Sequence, residues 1–598
     1  MNGIQKIGIA LFCVALIIFT ALLGYNDFVL TESSLSTSSE IHKKAILEEA
    51  ASLGVLDKTY NNNISFISDF KSSILSAQAK LKNQYEENPP KDKEASEWEY
   101  KIGDWEIKNI LTPTIKASGT GWVSKNTFNA FLLTFGLAIL GGFIFIIPKF
   151  FESPGIKNDG IYHSSLTKGL KFGQKLFFIT STILGVLIYG FFYMGGNFFW
   201  PLLTAIVIGI ILFLVFNYQK EKTLKPTRSA SSEFAGWLGI FAGVYLIIFY
   251  VILYWSPQYL TNWITMVDPI SQSLSGNDAS QWFLYGLLYT VIVFTMGIRM
   301  IAKYRHNKYQ IIRTCSVMFF QTAIAFILPE ILVRLNYPYY DFKNIWPLNY
   351  TFFFDWNINN LLESGGLGIF MLVWGIVLII LGVPIITYFF GKRWYCSWVC
   401  GCGGLAETMG DPFRQLSDKS IRAWKFERWI IHGVLVFAVV MTAMVLYHFF
   451  TGSSKVLFFD SNNVRQWYGF LIGSAFAGVV GTGFYPLMGN RTWCRFGCPL
   501  AAYLGLVQKY KSRFRITTNG GQCISCGNCS TYCEMGIDVR AYAQKGQDIV
   551  RSSCVGCGIC SAVCPRGVLR LENASGDIAE RTDQLRTIHI TEDQIGIL

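Results

Sequence analysis

The sequence predicts an all-α polytopic membrane protein of about ten transmembrane helices. A small helical domain is expected outside the membrane, and a compact α+β domain built on cysteines near the C-terminus. Three observations predict this. Hydrophobic residues make up 52% of the 598 and charged residues only 15%, against about 25% charge in an average soluble protein. The apolar excess lies in runs near the roughly 20 residues that cross a bilayer. Eight cysteines between Cys523 and Cys564 repeat one spacing twice.

Residues 7–25 (IGIALFCVALIIFTALLGY) form the first run, after Lys6. It is longer than a signal-peptide core and no small-residue cleavage site follows, so residues 1–25 are expected to stay as the first span. Residues 26–126 are polar, with helical runs such as EIHKKAILEEAASLGVL and a Pro89–Pro90 break. They are expected to form a separate, mainly helical domain. Nine further spans are expected at about 127–148, 176–195, 197–217, 235–255, 281–301, 311–333, 367–390, 429–450 and 467–488. Spans two to seven occupy 127–365 and spans eight to ten occupy 366–514.

Charge orients these spans. Loop 149–175 has five Lys, 218–234 has four Lys or Arg, and 391–428 has seven. The alternate loops are poor: 257–280 has none, and 334–366 and 451–466 have two each. Basic loops stay inside, so both termini are expected in the cytoplasm and residues 26–126 outside. The net charge of +12 is assigned to these loops and to lipid headgroups. No basic aromatic patch points to nucleic acid, and no Gly-rich loop with Lys-Ser/Thr points to nucleotide hydrolysis.

Fifteen cysteines would suit an oxidised secreted protein, yet all but two lie between Cys396 and Cys564, in segments placed in the reducing compartment. Cys13 and Cys315 fall inside apolar runs and read as small core residues. The first cysteine run is Cys523-x2-Cys526-x2-Cys529-x3-Cys533. The second is Cys554-x2-Cys557-x2-Cys560-x3-Cys564, followed by Pro565. Thiolates at this spacing fold around iron–sulfide cubanes, three from one run and the fourth from the other. Cys523, Cys526, Cys529 and Cys564 are therefore expected at one [4Fe–4S] cluster, and Cys554, Cys557, Cys560 and Cys533 at the other. Residues 515–570 then form a two-[4Fe–4S] ferredoxin-like domain of the bacterial type, and 571–598 a tail. Zinc also uses C-x2-C pairs, but two four-cysteine runs are the more specific pattern. Glu534 stands where the first run would carry proline; its charge beside Cys533 is expected to lower that cluster's potential.

A second repeat lies upstream. Residues 391–401 read GKRWYCSWVCG and residues 489–499 read GNRTWCRFGCP. Both follow spans running inward, so both land at the cytoplasmic interface, where Trp, Tyr and Arg suit the depth. Positions i and i+4 share a helix face, which would point Cys396 with Cys400 and Cys494 with Cys498. These four thiols are a candidate additional redox or metal site, a further cluster included; the alternative is a pair of helix-end turns whose cysteines pack or form dithiols. Cys402 adds a fifth thiol, and which four ligate stays open.

Paired C-x3-C motifs at helix ends followed by two four-cysteine runs resemble the membrane-bound polyferredoxin family. Its members include the NapH-type subunit of periplasmic nitrate reduction, the NosR-type protein of nitrous oxide respiration and the CcoG/FixG-type oxidase-assembly proteins. The resemblance covers roughly residues 366–570. It implies the eight cysteines of residues 523–564 as cluster ligands, with Cys396, Cys400, Cys494 and Cys498 at the C-x3-C positions. It also implies a place in the bacterial cytoplasmic (inner) membrane, multi-pass. There are departures. The NosR-like flavin threonine motif has no counterpart, since residues 26–126 offer only Ser118-Gly-Thr-Gly. Residues 571–598 are too short for the β-sandwich that ends FixG-like proteins. Seven spans before residue 366 exceed what the NapH type needs.

The expected function is that of an oxidoreductase subunit moving electrons between the quinone pool and a respiratory partner through two clusters, with quinone a candidate substrate. Two alternatives are an assembly or maturation factor reducing metal or thiol for an oxidase or reductase, and a structural subunit of a respiratory complex. Expected partners are the bilayer, other respiratory subunits or a soluble redox protein. No catalytic residue is assigned. Of the six histidines only His432 and His448 lie in a span, the same one, and on roughly opposite faces, which does not suit bis-histidine haem. Glu330, with Arg334 one turn on, reads either as a proton-path residue or as a pair snorkelling to the interface.

Overall fold

A computed structural model describes residues 3–37, 39–87, 102–152, 172–193, 233–456, 458–519, 522–573, 588–590 and 595–597. Most are helical, and they fall into two compact units. One comprises Met1–Glu152, Ile248–Ile298 and Phe326–Tyr339; the other comprises Ser153–Ile247, Arg299–Ala325 and Tyr340–Leu598.

Among the described residues, six helices are long and apolar enough to cross a membrane. They are Gly3–Ala21, Thr127–Phe150, Gln281–Tyr304, Lys308–Arg334, Gly365–Phe390 and Ile421–Thr451. A seventh is counted if Gly239–Trp255 and Pro257–Met266, bent by 114°, are one span. The bend falls where Pro257 lacks the N–H that would extend the helical ladder. The expected span 176–195 is helical over Phe172–Tyr193, with 194 and 195 outside the described residues; 197–217 lies wholly outside them. The expected span 467–488 is not one clean helix. It is helical from Ser461 to Gly483, turns at Phe484 and resumes at Tyr485–Met488. Five glycines dilute its apolar character, and Gly469–Val480 widens into a π-helix, a form found mostly as short bulges.

In the first unit, the Gly3–Ala21 helix runs against Leu137–Ile146 with backbones almost touching. A Cβ on Gly8 would lie 2.7 Å from the Gly141 carbonyl, and one on Gly141 2.8 Å from the Gly8 carbonyl. Small residues at a crossing permit this approach between membrane helices. The first helix stops at Ala21, short of residue 25, because Tyr25–Val29 pairs antiparallel with Thr59–Asn62. The polar domain is thus mainly helical with one two-stranded ribbon. Helices Glu40–Ser52, Asn63–Glu87 and Asp104–Ala117 bury Ile46, Phe66, Phe70, Ile74, Ile110 and Ile115 together. Ser39 caps the first of them by accepting from the His42 N–H. The Pro89–Pro90 break lies outside the described residues. Residues 257–280, read from charge as a plain outer loop, fold into short helices, among them Thr261–Met266 and Asp268–Leu274. Asp268 there pairs with Lys116 at 2.7 Å. Glu330 does not pair with Arg334: its carboxylate accepts from Ser275, and Arg334 donates to the Ser273 carbonyl.

In the second unit, the cysteine-rich module is a two-stranded sheet, Arg515–Thr518 antiparallel to Leu569–Glu572, with three short helices between. Its two halves repeat in backbone as well as in sequence. Positive φ occurs at Ser525 and Gly556, at Gly527 and Gly558, and at Gly536 and Gly567. Glycine between the second and third cysteine of each run adopts the left-handed turn that most residues resist. That turn brings the run's three thiols to one side.

Candidate iron–sulfur site

Two cavities lie inside the module. The first is lined by Cys523, Cys526, Cys529 and Cys564, the second by Cys533, Cys554, Cys557 and Cys560. Each gathers three cysteines of one run and the fourth of the other. The remaining walls are mostly apolar, with Val568 and Leu569 at the first and Ile516, Ile537 and Ile549 at the second. Burial pushes the Cys529 and Cys557 thiols up to about 12. A bound cation would hold them as thiolates at neutral pH. A four-thiol donor set in a mostly apolar pocket fits an iron–sulfur cubane; the one carboxylate lining the second cavity, Glu534, is engaged by arginines.

The C-x3-C thiols also come together, by a different local geometry from the one expected. Cys396 ends a one-turn helix, Arg393–Cys396, and Cys400 caps the start of the next, Gly401–Thr408. Cys494 and Cys498 repeat this: Cys494 lies in Thr492–Phe496, and Cys498 caps Pro499–Lys511, its Sγ accepting from the Ala501 N–H at 3.4 Å. In both turns the second cysteine's N–H bonds five residues back, Cys400 to the Tyr395 carbonyl and Cys498 to the Trp493 carbonyl. A turn between two helices, rather than one helix face, thus points each pair inward. Cys396, Cys400, Cys494 and Cys498 are all buried and lie within electrostatic reach of one another. Cys402 joins them through a hydrogen bond to Cys400, which holds the Cys400 thiol down at about 6 and pushes Cys402 well up.

Between these thiols and the second cavity lies a buried ion-pair network. Glu534 is fully buried and pairs with Arg414 at 2.7 Å and Arg491 at 3.0 Å. Glu407 pairs with Arg313 and Arg491, and Asp411 with Lys303 at 2.7 Å and Arg414 at 3.4 Å. Burial alone would raise the Glu534 carboxyl, but Arg491, Arg414 and Arg313 outweigh it and hold the group down at about 2. The charge beside Cys533 is therefore compensated, not lone. Arg491 also donates to Cys494 Sγ at 3.7 Å and to the Cys396 carbonyl at 3.3 Å.

Lys392 and Arg414 read from sequence as loop charge, and Arg491 and Arg495 as arginines suited to the membrane interface. Lys392, Arg414, Arg491 and Arg495 are instead at most 1% exposed and sit inside the protein. Arg393, two residues after the first motif's glycine, stacks on Phe514 of the cysteine module at 4.5 Å. Ser397, Gln310, Tyr309 and Gln508, which also bond to the module, carried no sequence signal. Arg491 carried half of one, as the arginine shared by the two repeated motifs.

Comparison with known proteins agrees with this geometry. Residues 373–420 and 469–517 match a family model described as a 4Fe-4S binding domain, and residues 494–569 match a 4Fe-4S dicluster domain. The chain is 27% identical over 159 residues to the putative electron transport protein YccM of Escherichia coli (strain K12), covering 25% of this chain and 43% of that protein. It is 25% identical over 151 residues to the methylamine utilization ferredoxin-type protein MauN of Methylobacillus flagellatus, covering 24% of this chain and 50% of that one. The chain thus matches half or less of the length of these curated relatives. No solved structure matches it. Fold and site together show two four-thiol cavities of the 4Fe-4S type, in a chain with helices long and apolar enough to cross a membrane. More particularly, residues 373–420 and 469–569 are similar to 4Fe-4S binding and dicluster domains, and to parts of two proteins named for electron transport and as ferredoxin-type.

Proposed function

We propose that the protein moves electrons one at a time between the quinone pool and a respiratory redox partner, through two [4Fe–4S] clusters. The carrying observation is the crosswise sorting of eight thiols into two apolar cavities. Cys523, Cys526, Cys529 and Cys564 hold one cluster; Cys554, Cys557, Cys560 and Cys533 hold the other. Bound clusters supply the one-electron carriers, and the chain sets their spacing, burial and surrounding charge, hence their potentials. Cys396, Cys400, Cys494 and Cys498 form a further metal or iron–sulfur site, a reading supported by the 4Fe-4S family match to both segments that carry them.

The proposed setting is the bacterial cytoplasmic membrane with ten spans. Both termini and the cluster domain, 515–570, lie inside, and the helical domain, 26–126, outside. The alternation of Lys and Arg along the loops supports this orientation. A second reading is an assembly factor that reduces metal or thiol while a respiratory enzyme is built. It is favoured by the fifth thiol, Cys402, paired to Cys400, which four-thiol ligation does not need. The test is EPR of anaerobically purified protein after adding a reduced quinol analogue. Reduction of both clusters supports the quinone-linked reading; clusters that quinol leaves oxidised while dithionite reduces them favour the assembly reading.

A further inference from the structure

The two cluster cavities are copies of one another in backbone and opposites in surroundings. Matching positions of the repeat shows this residue by residue. Val555, between Cys554 and Cys557, is 1% exposed, whereas its counterpart Ile524 is 45% exposed. Gly556 is buried where Ser525 is exposed, and Glu534 and Met535 are buried where Pro565 and Arg566 are exposed.

The buried face is covered by the C-x3-C side of the same unit. Four consecutive carbonyls there each accept a side-chain hydrogen bond from outside the module. Gln508 donates to Cys554, Ser397 to Val555, Tyr309 to Gly556 and Gln310 to Cys557, each at 2.8 Å. Ser397 directly follows Cys396, and Val555 directly follows Cys554. One hydrogen bond therefore runs from the side chain of the residue after Cys396 to the carbonyl of the residue after Cys554. Arg491 makes a second link, from Cys494 Sγ to Glu534 beside Cys533. In the other run Ser525, at the position of Gly556, accepts at its hydroxyl from Gln544 of the module itself.

We infer that the two sites have fixed places in a relay: the Cys533/Cys554/Cys557/Cys560 site is the inner one, exchanging electrons with the interfacial thiol site through the Ser397–Val555 contact, and the Cys523/Cys526/Cys529/Cys564 site is the outer one, exchanging electrons with a one-electron carrier in solution. This rests on the proposed assignment of the eight cysteines as cluster ligands. Each transfer moves one electron, oxidising one site by one unit as its neighbour is reduced by one, in either direction, and no bond or proton moves with it.

The test is made on the full-length protein, reduced with titanium(III) citrate. Cys526→Ser removes the outer EPR signal and Cys557→Ser the inner one, which labels them. Dysprosium(III)–EDTA, confined to solvent, should then hasten the spin relaxation of the outer signal in the wild-type protein and leave the inner one unchanged. In rapid-freeze experiments, Cys526→Ser should slow titanium reduction of the inner site several-fold, while Cys557→Ser leaves the outer rate as it was. Equal or reversed relaxation enhancement, or an inner site reduced at the wild-type rate without the outer one, would overturn the inference. Should either cysteine variant not fold, Ile524→Asp on the exposed face labels the outer signal by lowering its potential alone. A wild-type protein that shows no cluster signal and no iron would fail the underlying ligand assignment instead, a result distinct from any of these.

Discussion

Arg491 and Glu534 form an ion pair 3.0 Å long in which neither side chain has any exposed surface. It joins the second C-x3-C motif, three residues before Cys494, to the residue that follows Cys533. Arg414 completes the pairing from the other side at 2.7 Å. Removing one partner of such a buried pair leaves an uncompensated charge, typically costing about 3–5 kcal/mol. Glu534→Gln should therefore lower the thermal unfolding midpoint markedly, and Glu534→Gln combined with Arg491→Gln should recover part of the loss. If the single variant melts like the wild type, the pair does not hold the module in place.

The same variant makes an electrical prediction. Taking away a negative charge favours the more negative, reduced cluster. Potentiometric EPR titration of Glu534→Gln should show one cluster raised in potential and the other unmoved, whereas Arg491→Gln should lower that same cluster. Equal shifts in both would disconnect Glu534 from the Cys533 site.

Asp411 governs behaviour in acid. Burial would raise its carboxyl, but Lys303, Arg414 and Arg299 outweigh that and hold it far below the usual carboxylate range. A group whose folded-state pKa is depressed stabilises fully above its unfolded value, about pH 4, and loses that contribution as pH falls below it. Melting temperature followed from pH 6 downward should drop more steeply below about pH 4 for wild type than for Asp411→Asn. Parallel curves would mean the buried cations do not act on Asp411 in this way.

Gly8 and Gly141 make a steric prediction in the other unit. Because a Cβ at either would meet the opposite backbone within 3 Å, Gly141→Leu should force the two helices apart. Overpacking of this kind costs about 1–3 kcal/mol or more, read as a lower midpoint or faster proteolysis in the 3–152 segment. The substitution leaves every cluster cysteine in place, so iron content should not change.

Cys396→Ser combined with Cys494→Ser should lower iron per chain, while Cys402→Ser should leave it unchanged if Cys402 is the spare thiol. An unchanged iron count in the double variant would return the C-x3-C cysteines to packing.

Much of this was legible in the sequence, for reasons that differ from residue to residue. The cysteine runs are short-range: four cysteines and a turn glycine within about a dozen positions specify a local fold, so spacing alone sorts Cys533 with Cys554 and Cys564 with Cys523, as the two cavities do. The convergence of Cys396, Cys400, Cys494 and Cys498 was visible as a repeat, but the turn that achieves it was not. Their i, i+4 spacing suits a helix face equally well, and only the bonds from Cys400 to Tyr395 and Cys498 to Trp493 decide against it. Arg414 reads in the sequence as loop charge, because a charge count near a membrane does not say what a cation faces; its partner Glu534 is 120 positions away. Ser397 was silent for the same reason, its acceptor Val555 being 158 positions away. The expected span 467–488 is the least regular one, because glycines and the turn at Phe484 interrupt an otherwise apolar run.

The central claim is that the two cysteine runs exchange their fourth ligands. EPR of the reduced Cys533→Ser variant tests it most directly. Cys533 belongs to the first run in sequence but lines the cavity of Cys554, Cys557 and Cys560. The spectrum should therefore lose the same signal as Cys557→Ser and keep the one that Cys526→Ser abolishes. If Cys533→Ser instead loses the signal that Cys526→Ser loses, each run holds its own cluster and the crosswise arrangement is wrong.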